Sequence, residues 1–175
     1  MPAPDFLCIG GHICGSTWFH RQLGKHPEIW TTPVKELHYW DRLTHDGRKA
    51  GRHDKHRRKA LKRLRKQVLR PYDAKARADI KWAWHFLTQD RRKAFSTDWY
   101  SSLFPEGFVA GETTPYYEFL DEPVLKQLAV CCPDTKILYI LRNPIKRAWS
   151  LALKQLAEKG RYLGNDPAST IADYI

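Results

Sequence analysis

The sequence lacks a long hydrophobic run. Among its 175 residues, no stretch approaches the ~18 consecutive apolar residues that a membrane-spanning helix requires. A first strand is predicted within ten residues of the start, which leaves no room for a secretory leader, and we expect a cytoplasmic protein. The hydrophobic content of 42% and the aromatic content of 13% are sufficient for the core of one ordinary domain. We therefore expect a single domain over residues 1–175.

Cysteine is scarce as well. The four cysteines are Cys8, Cys14, Cys131 and Cys132, and their spacing matches no common pattern of metal ligands. Adjacent cysteines rarely form a disulfide with each other, so we expect reduced thiols and no bound metal. The thiol at position 14 is expected to fill space in its loop.

Acidic residues are nearly absent from one segment of the chain. Residues 42–70 contain 13 Lys and Arg but 2 Asp and Glu, an excess of 11 that equals the net charge of +11 of the whole chain. A narrow apolar stripe predicts a basic helix over 55–70, within an insertion at about 42–71. A solvated helix face is the simplest interpretation of each single residue. For the cluster, an anionic polysaccharide is favoured over nucleic acid, because no aromatic residues interrupt 55–70 as they do in single-strand binders.

The first predicted strand, 5–10, leads into a glycine loop that contains no lysine. Gly11 and Gly15 lie in this loop, and a helix is predicted over 16–25. Strand, glycine loop and helix in this order are typical of a phosphate-binding loop, because the unpaired N–H groups of a helix N-terminus favour anions. A nucleotide triphosphatase would have a lysine where Ser16 stands. The motif therefore indicates a phosphate ligand without indicating that class of enzyme.

A second candidate phosphate site follows the strand predicted over 136–141, which has the clearest pattern of a buried strand. Arg142 comes directly after it, and Ser150 lies two turns into a helix predicted over 145–158. Ligands of open parallel sheets bind beyond the carboxyl ends of the strands, where an arginine can grip a phosphate with two hydrogen bonds. Taken alone, the motif favours a simpler explanation, in which Arg142 pairs with a nearby acid and Ser150 is a solvated helix residue. Together with the glycine loop, it favours a ligand with two separate phosphate groups.

The remaining elements alternate between helices and strands. Helices are predicted over 74–86, 95–104 and 121–132, and a strand over 108–112. Asp121 is the expected N-cap of its helix, with Leu125 and Leu128 facing inward. The segment 28–41 has the composition of a loop and short strand near a site. The alternation predicts an α/β fold of the P-loop type, in which helices flank a central, mostly parallel β-sheet in three layers.

Four segments together resemble the sulfotransferases that use 3′-phosphoadenylyl sulfate. They are Phe6 to Trp18, Pro33 to Asp41, Gly111 to Tyr116 and Leu141 to Ser150. The nearest branch is the bacterial proteins related to heparan-sulfate glucosaminyl sulfotransferases. Four blocks in family order are far more specific than any one block. The resemblance implies 3′-phosphoadenylyl sulfate as the donor, no metal, and a small-molecule or carbohydrate acceptor with a hydroxyl or amine, which the basic segment would bind if it is anionic.

The resemblance also implies roles for individual residues. The 5′-phosphosulfate would be bound by Gly11, Gly15, Ser16, Thr17 and Trp18, and the 3′-phosphate by Arg142 and Ser150. Glu36 matches the family's general base, and Lys35 beside it would supply positive charge to the donor or acceptor. Sulfuryl transfer requires both, because the nucleophile must lose a proton while negative charge develops on the leaving phosphate.

The sequence departs from the family in two respects. The family has a lysine at the position of Ile13, and losing one such contact typically costs ~10²–10³ in rate. His12 and Lys35 are the candidate substitutes for that charge. Family members also continue well beyond a chain of this length, so the resemblance implies a C-terminal truncation: a fragment, a naturally short form or a degenerate copy.

Two functions therefore stay open. The leading hypothesis is a sulfotransferase, and its rival is a non-catalytic remnant that still binds the nucleotide. A nucleotide kinase or another P-loop triphosphatase is a weaker hypothesis. The loop has no lysine, and no clear metal-binding acid follows a strand in the sequence.

Overall fold

A computed structural model describes residues 3–43, 73–88 and 96–158, together with Arg58 and Lys62, which are both helical. The helix predicted over 55–70 and most of the predicted insertion at 42–71 lie outside the described residues.

Four parallel strands form the described sheet. In chain order they are β1 (Phe6–Gly10), β2 (Ile29–Thr31), β3 (Val109–Thr113) and β4 (Lys136–Tyr139). Their order in space is β2-β3-β1-β4, and Phe6 of β1 pairs with Gly111 on one side and Lys136 on the other. Short apolar runs at 5–10 and 108–112 predicted β1 and β3 correctly to within one residue.

Helices connect the strands. The described chain contains α1 (Ser16–Leu23), α2 (Ala74–Thr88), α3 (Thr97–Ser101), α4 (Glu122–Cys131) and α5 (Pro144–Glu158), with short 3₁₀ helices at Trp40–Arg42 and Pro115–Phe119. Asp121 caps α4 as predicted, since its Oδ1 accepts a hydrogen bond of 3.2 Å from the N–H of Val124. The predicted α/β class with a parallel sheet is confirmed.

Two of the three crossover connections explain why helices flank this sheet. α1 leads from β1 to β2, whereas α4 leads from β3 to β4 in the opposite direction across the sheet. Because such crossovers are right-handed in nearly all proteins, the two helices cover opposite faces. A reversal of this kind opens a crevice at the carboxyl ends of β1 and β3, where ligands of open parallel sheets bind.

The prediction of a buried strand over 136–141 is wrong in two ways. β4 ends at Tyr139, and it lies at the edge of the described sheet rather than inside it. Ile137 and Tyr139 are consequently about half exposed, and Leu141 is exposed as well. An apolar run indicates a strand, but its burial depends on which neighbours cover it.

Two helix predictions also need correction. Leu125 was expected to face inward, but it is exposed, and Val124 packs into the core instead. The helix predicted over 95–104 is limited to α3, because Leu103 and Phe104 leave the helix and are buried in the core.

Aromatic side chains dominate the core. Trp40, Tyr100 and Tyr117 are almost completely buried, and Tyr39 stacks on Tyr100 with ring centroids 4.3 Å apart. Rings of this size contribute a large share of core stability. Residues 32–39 follow β2 without regular structure, and the buried rings of Tyr39 and Trp40 anchor the end of this segment in the core.

Candidate functional site

The glycine loop joins the carboxyl end of β1 to the N-terminus of α1. Gly15 is the N-cap and has a φ of 93°, in the left-handed region that glycine adopts without strain. Among the described residues, no side chain caps this helix. The N–H groups of its first turn, from Ser16 to Trp18, have no intrahelical partner, as at any helix N-terminus. The loop therefore offers an anion a set of unpaired donors at the positive end of the helix dipole.

Two arginines that follow β4 hold the other side of this loop. Arg142 donates a hydrogen bond of 3.0 Å from Nη1 to the carbonyl oxygen of Ile13, and Arg147 donates one of 2.9 Å from Nε to the carbonyl oxygen of His12. Both arginine side chains are exposed. The two phosphate motifs predicted from the sequence are therefore adjacent in space.

The other predicted nucleotide-binding residues lie around the same loop. Ser16 is buried, whereas Thr17 and Trp18 are exposed. Ser150 is half-buried in the second turn of α5. Gly11 uses its N–H within the protein, since it donates a hydrogen bond of 3.0 Å to the carbonyl oxygen of Ile140. Gly11 therefore has no free N–H to offer a ligand. It allows the loop to pack closely against Cys14 and the backbone of Ile140.

An acidic residue that the sequence analysis did not identify also contacts the loop. Glu118 accepts a hydrogen bond of 3.2 Å from the N–H of His12 and another of 2.6 Å from the hydroxyl of Tyr139. The bond to Glu118 raises the pKa of Tyr139, because loss of the phenolic proton would place a second negative charge beside the carboxylate. The Tyr139 ring lies over Gly10, where any Cβ would overlap it. The backbone of His12 is thus fixed at both polar groups, while a catalytic role of its imidazole stays a prediction.

The irregular segment after β2 carries a cluster of ionisable side chains. Oε1 of Glu36 contacts Nζ of Lys35, and Oε2 of Glu36 lies 3.8 Å from Nε2 of His38. On its other side, Nδ1 of His38 lies 2.8 Å from Oδ2 of Asp41. The side chains of His38 and Asp41 are nearly inaccessible, whereas that of Glu36 is 42% exposed. A ligand in the crevice would therefore contact the carboxylate of Glu36, while His38 and Asp41 lie buried beneath it.

The neighbours of Glu36 decide its ionisation. The imidazole of His38, 3.8 Å away, lowers the pKa of Glu36 far below its usual range, and the contact with Lys35 acts in the same direction, against the opposing effect of burial. Glu36 is therefore a carboxylate at neutral pH. While both partners are in place it is a weak base, and it becomes a stronger one if Lys35 moves away.

Backbone geometry also distinguishes this cluster. Glu36 has a φ of 65° and His38 a φ of 56°, which non-glycine residues adopt at a cost of about 1–2 kcal/mol each. Such strain concentrates at functional sites. The N–H of Glu36 donates a hydrogen bond of 3.0 Å to the carbonyl oxygen of Thr113. The cluster is thus docked at the carboxyl end of β3, on the crevice that also borders the glycine loop.

Lys35 and Glu36 were predicted from the sequence as site residues, whereas His38 and Asp41 were not. Their three-residue separation within the aromatic-rich segment 28–41 was the available signal. Glu118 gave no such signal, because its partner His12 is 106 residues away in the chain.

A second depression, with a volume of about 570 Å³, lies at the opposite end of the sheet. Residues that precede β1, β3 and β4 line it, and Asp5, Glu106 and Asp134 are among them. Three carboxylates oppose an anionic ligand, and Asp5 already accepts a hydrogen bond of 2.7 Å from the N–H of Ala110. The crevice at the carboxyl ends is therefore the better candidate for a phosphate site.

Other site types find little support in the parts of the chain that the structure describes. In these ranges, no three His, Cys, Asp or Glu side chains form a group suited to hold a metal ion. No described helix has the length and apolar character needed to cross a membrane. All four cysteines are free thiols.

Comparisons with known proteins bear on the family of the chain. The model of a family described as the sulfotransferase family matches residues 4–174. Human heparan sulfate glucosamine 3-O-sulfotransferase 6 is 36% identical to the chain over 69 residues, which cover 38% of this chain and 19% of that protein. The matched stretch thus spans about a fifth of that relative. No solved structure matches the chain.

Proposed function

The chain belongs to the sulfotransferase family, as the sequence predicted, and we propose that it transfers the sulfuryl group of 3′-phosphoadenylyl sulfate to a hydroxyl or amine of an acceptor. The observation that carries this proposal is the hydrogen bond from Arg142 to the carbonyl oxygen of Ile13. It brings together, from distant parts of the chain, the two motifs for which the sequence predicts phosphate binding. This donor carries two separate phosphate groups, on its 3′ and 5′ positions.

Each motif would bind one phosphate group of the donor. The N-terminus of α1, with the hydroxyls of Ser16 and Thr17, would bind the 5′-phosphosulfate. Arg142 and Ser150 would bind the 3′-phosphate. A bidentate contact from a guanidinium group is both strong and specific for phosphate geometry, so Arg142 would distinguish this donor from nucleotides without a 3′-phosphate.

Glu36 supplies the base in the proposed reaction. The acceptor oxygen or nitrogen attacks sulfur, and its proton passes to the carboxylate of Glu36. The bond between sulfur and the oxygen that bridges it to the 5′-phosphate breaks, and adenosine 3′,5′-bisphosphate leaves with that electron pair. Donors at the helix N-terminus stabilise the charge that develops on the leaving phosphate.

Lys35 links donor binding to the strength of this base. In the structure its ammonium group contacts Glu36. A bound phosphosulfate would compete for the same cation, and withdrawal of Lys35 would raise the pKa of Glu36 toward the range in which a carboxylate accepts a proton efficiently. His38, held by Asp41, would keep the carboxylate oriented during the exchange.

The acceptor is proposed to be a carbohydrate. The name of the human relative refers to a glucosamine of heparan sulfate, an anionic polysaccharide. The basic segment over residues 42–70 of this chain carries the matching charge. Charge of this density attracts an anionic polymer over long distances at low ionic strength.

Labelled sulfate transfer from 3′-phosphoadenylyl sulfate to heparan sulfate fragments tests the proposal. Glu36→Gln keeps the size of the side chain but removes the base, and should lower the rate by about 10²–10⁴-fold. Glu28→Gln makes the same substitution at an exposed position beside β2 and should leave the rate unchanged. Transfer that survives Glu36→Gln at the wild-type rate would contradict the assignment of the base.

A second candidate function is nucleotide binding without turnover. It is favoured by Ile13, which stands where the resemblance implies a lysine. Ile13 has a φ of 63°, which is unfavourable for a β-branched residue, so Ile13→Lys should relieve strain as well as add charge. If the wild-type chain binds adenosine 3′,5′-bisphosphate without transferring sulfate, and Ile13→Lys restores transfer while Ile13→Met does not, the chain is a remnant that has lost one charge.

A further inference from the structure

A buried carboxylate in β3 organises three hydroxyl groups. Glu112 is completely buried, and its Oε1 accepts hydrogen bonds of 2.6 Å from the hydroxyl of Tyr100 and 3.0 Å from that of Tyr117. Its Oε2 accepts a bond of 2.7 Å from the hydroxyl of Thr114. Burial raises the pKa of Glu112, and the three donors oppose that effect. Most buried polar groups in proteins are hydrogen-bonded, and both carboxylate oxygens of Glu112 meet this requirement.

Tyr117 extends this network to the cluster around Glu36. Its hydroxyl oxygen accepts a hydrogen bond of 3.0 Å from the N–H of Tyr39 and a longer one of 3.4 Å from the N–H of Trp40. These two residues stand between His38 and Asp41 in the chain. An unbroken series of hydrogen bonds therefore runs from Glu112, through Tyr117, to the backbone that carries the ionisable cluster.

The backbone held in this way is strained. Glu36 and His38 both occupy the left-handed region. Such conformations persist only where the surroundings fix them more firmly than the chain itself would. The bond from the N–H of Glu36 to Thr113 fixes one end of the segment, and the hydroxyl of Tyr117 fixes the other.

We propose that Glu112 and Tyr117 are positioning residues for the transfer reaction, which hold the segment 36–41 so that Glu36 faces the crevice. The inference rests on the proposed function, because Glu36 is the base only in that reaction. Neither residue contacts a substrate in this proposal, and both act through the backbone of Tyr39 and Trp40. Misplacement of a catalytic group by about 1 Å lowers rates by about 10²-fold, so loss of the network should affect turnover more than donor binding.

The chain offers a matched pair of variants to test this. Tyr117→Phe and Tyr100→Phe each remove one hydroxyl donor to Oε1 of Glu112 from an almost fully buried ring. Tyr117 also accepts hydrogen bonds from the backbone of the segment, whereas Tyr100 contacts Tyr39 and Trp40 through its ring, and phenylalanine preserves these ring contacts. A purely structural role predicts equal effects of the two substitutions.

Three measurements on the full chain separate the outcomes. Tyr117→Phe should lower kcat by about 10²-fold with little change in the KM for the donor, whereas Tyr100→Phe should lose only a few-fold. Hydrogen exchange at the amides of Tyr39 and Trp40 should accelerate in Tyr117→Phe alone. Glu112→Leu removes the acceptor for both tyrosines and should lower kcat more than Glu112→Gln, which keeps one acceptor oxygen for them.

Failure of this inference is distinguishable from failure of the proposed function. The positioning role would be overturned if the two tyrosine variants lost kcat equally. It would also be overturned if the amides of Tyr39 and Trp40 exchanged at the same rate in both variants. A wild-type chain that transfers no sulfate would contradict the proposed function. The exchange measurement would then still decide whether Tyr117 fixes the segment.

Discussion

Nη1 of Arg142 lies 3.0 Å from the carbonyl oxygen of Ile13, across 129 residues of sequence. An arginine that contacts the loop in this way has two separable effects. It holds the loop in place, and it carries a positive charge to the position expected for the 3′-phosphate. A substitution at Arg142 can be designed to tell these effects apart.

Arg142→Ala should weaken binding of adenosine 3′,5′-bisphosphate by about 10–10²-fold, since hydrogen bonds to charged groups contribute about 1.5–3 kcal/mol each. Binding of 5′-AMP, which has no 3′-phosphate, should change much less. Isothermal titration calorimetry with both nucleotides measures this ratio directly.

Arg147→Ala is the control for the effect on the loop alone, because Arg147 holds the neighbouring carbonyl oxygen of His12 in the same manner. Arg147→Ala should weaken the binding of both nucleotides to a similar extent. If Arg142→Ala also weakens the binding of both nucleotides equally, Arg142 supports the loop and does not bind the 3′-phosphate.

Gly15→Ala tests whether the conformation of the loop is needed for anion binding. A Cβ at this position would meet no described atom within 4 Å, so the substitution introduces backbone strain at a φ of 93° without a steric clash. We expect a loss of about 1–2 kcal/mol in the free energy of unfolding and a clear loss of affinity for adenosine 3′,5′-bisphosphate.

Gly107→Ala provides the control for this experiment. Gly107 has a φ of 82°, its Cβ would likewise meet no described atom within 4 Å, and it precedes β3 at the opposite end of the sheet. Thermal unfolding should show similar destabilisation of both variants, while only Gly15→Ala should lose nucleotide affinity. Equal affinity of the two variants would show that the left-handed N-cap is dispensable for binding.

The ionisation of Glu36 predicts a pH dependence of stability. Its pKa is lower in the folded chain than the ordinary value of about 4.3, so the unfolded chain binds more protons as the pH falls. The stabilisation from Glu36 is therefore complete above the unfolded pKa and is lost as the pH falls below it toward the folded pKa. Thermal unfolding between about pH 7 and pH 3 should show that wild type loses more stability than Glu36→Gln.

Lys35→Met offers an intermediate case, because it removes one of the two partners that lower the pKa of Glu36 and leaves His38 in place. Its loss of stability on acidification should fall between those of wild type and Glu36→Gln. Identical pH profiles of all three chains would contradict the interpretation of Glu36 as a strongly stabilised carboxylate.

Local patterns predicted the elements that local physics determines. β1 and α1 were predicted nearly residue by residue, because an apolar run, glycines and a helix start all lie within residues 5–25. The exposure of β4 was not predicted, since it depends on neighbouring strands and not on the apolar run over 136–141. Leu125 was placed on the wrong face of α4 for a related reason, because the helix alone does not show which side meets the core.

The candidate site shows the same division. The glycine loop and Arg142 could be identified because each follows a predicted strand, and parallel strands bring their carboxyl ends together. The contact of Glu118 with His12, and the network from Glu112 to Tyr39, depend on which loops become neighbours. Sequence patterns do not contain that information for a single chain.

The overlap that a Cβ at Gly10 would make with the Tyr139 ring has a consequence for mutational tolerance. Positions 10 and 15 at the two ends of the loop both require glycine, but for different reasons. At position 10 the obstacle is a side chain, so a smaller residue in place of Tyr139 can compensate for a substitution. At position 15 the obstacle is the conformation of the backbone itself, and no second substitution elsewhere removes it. Selection experiments on this loop should therefore recover paired changes at 10 and 139, whereas position 15 should stay glycine.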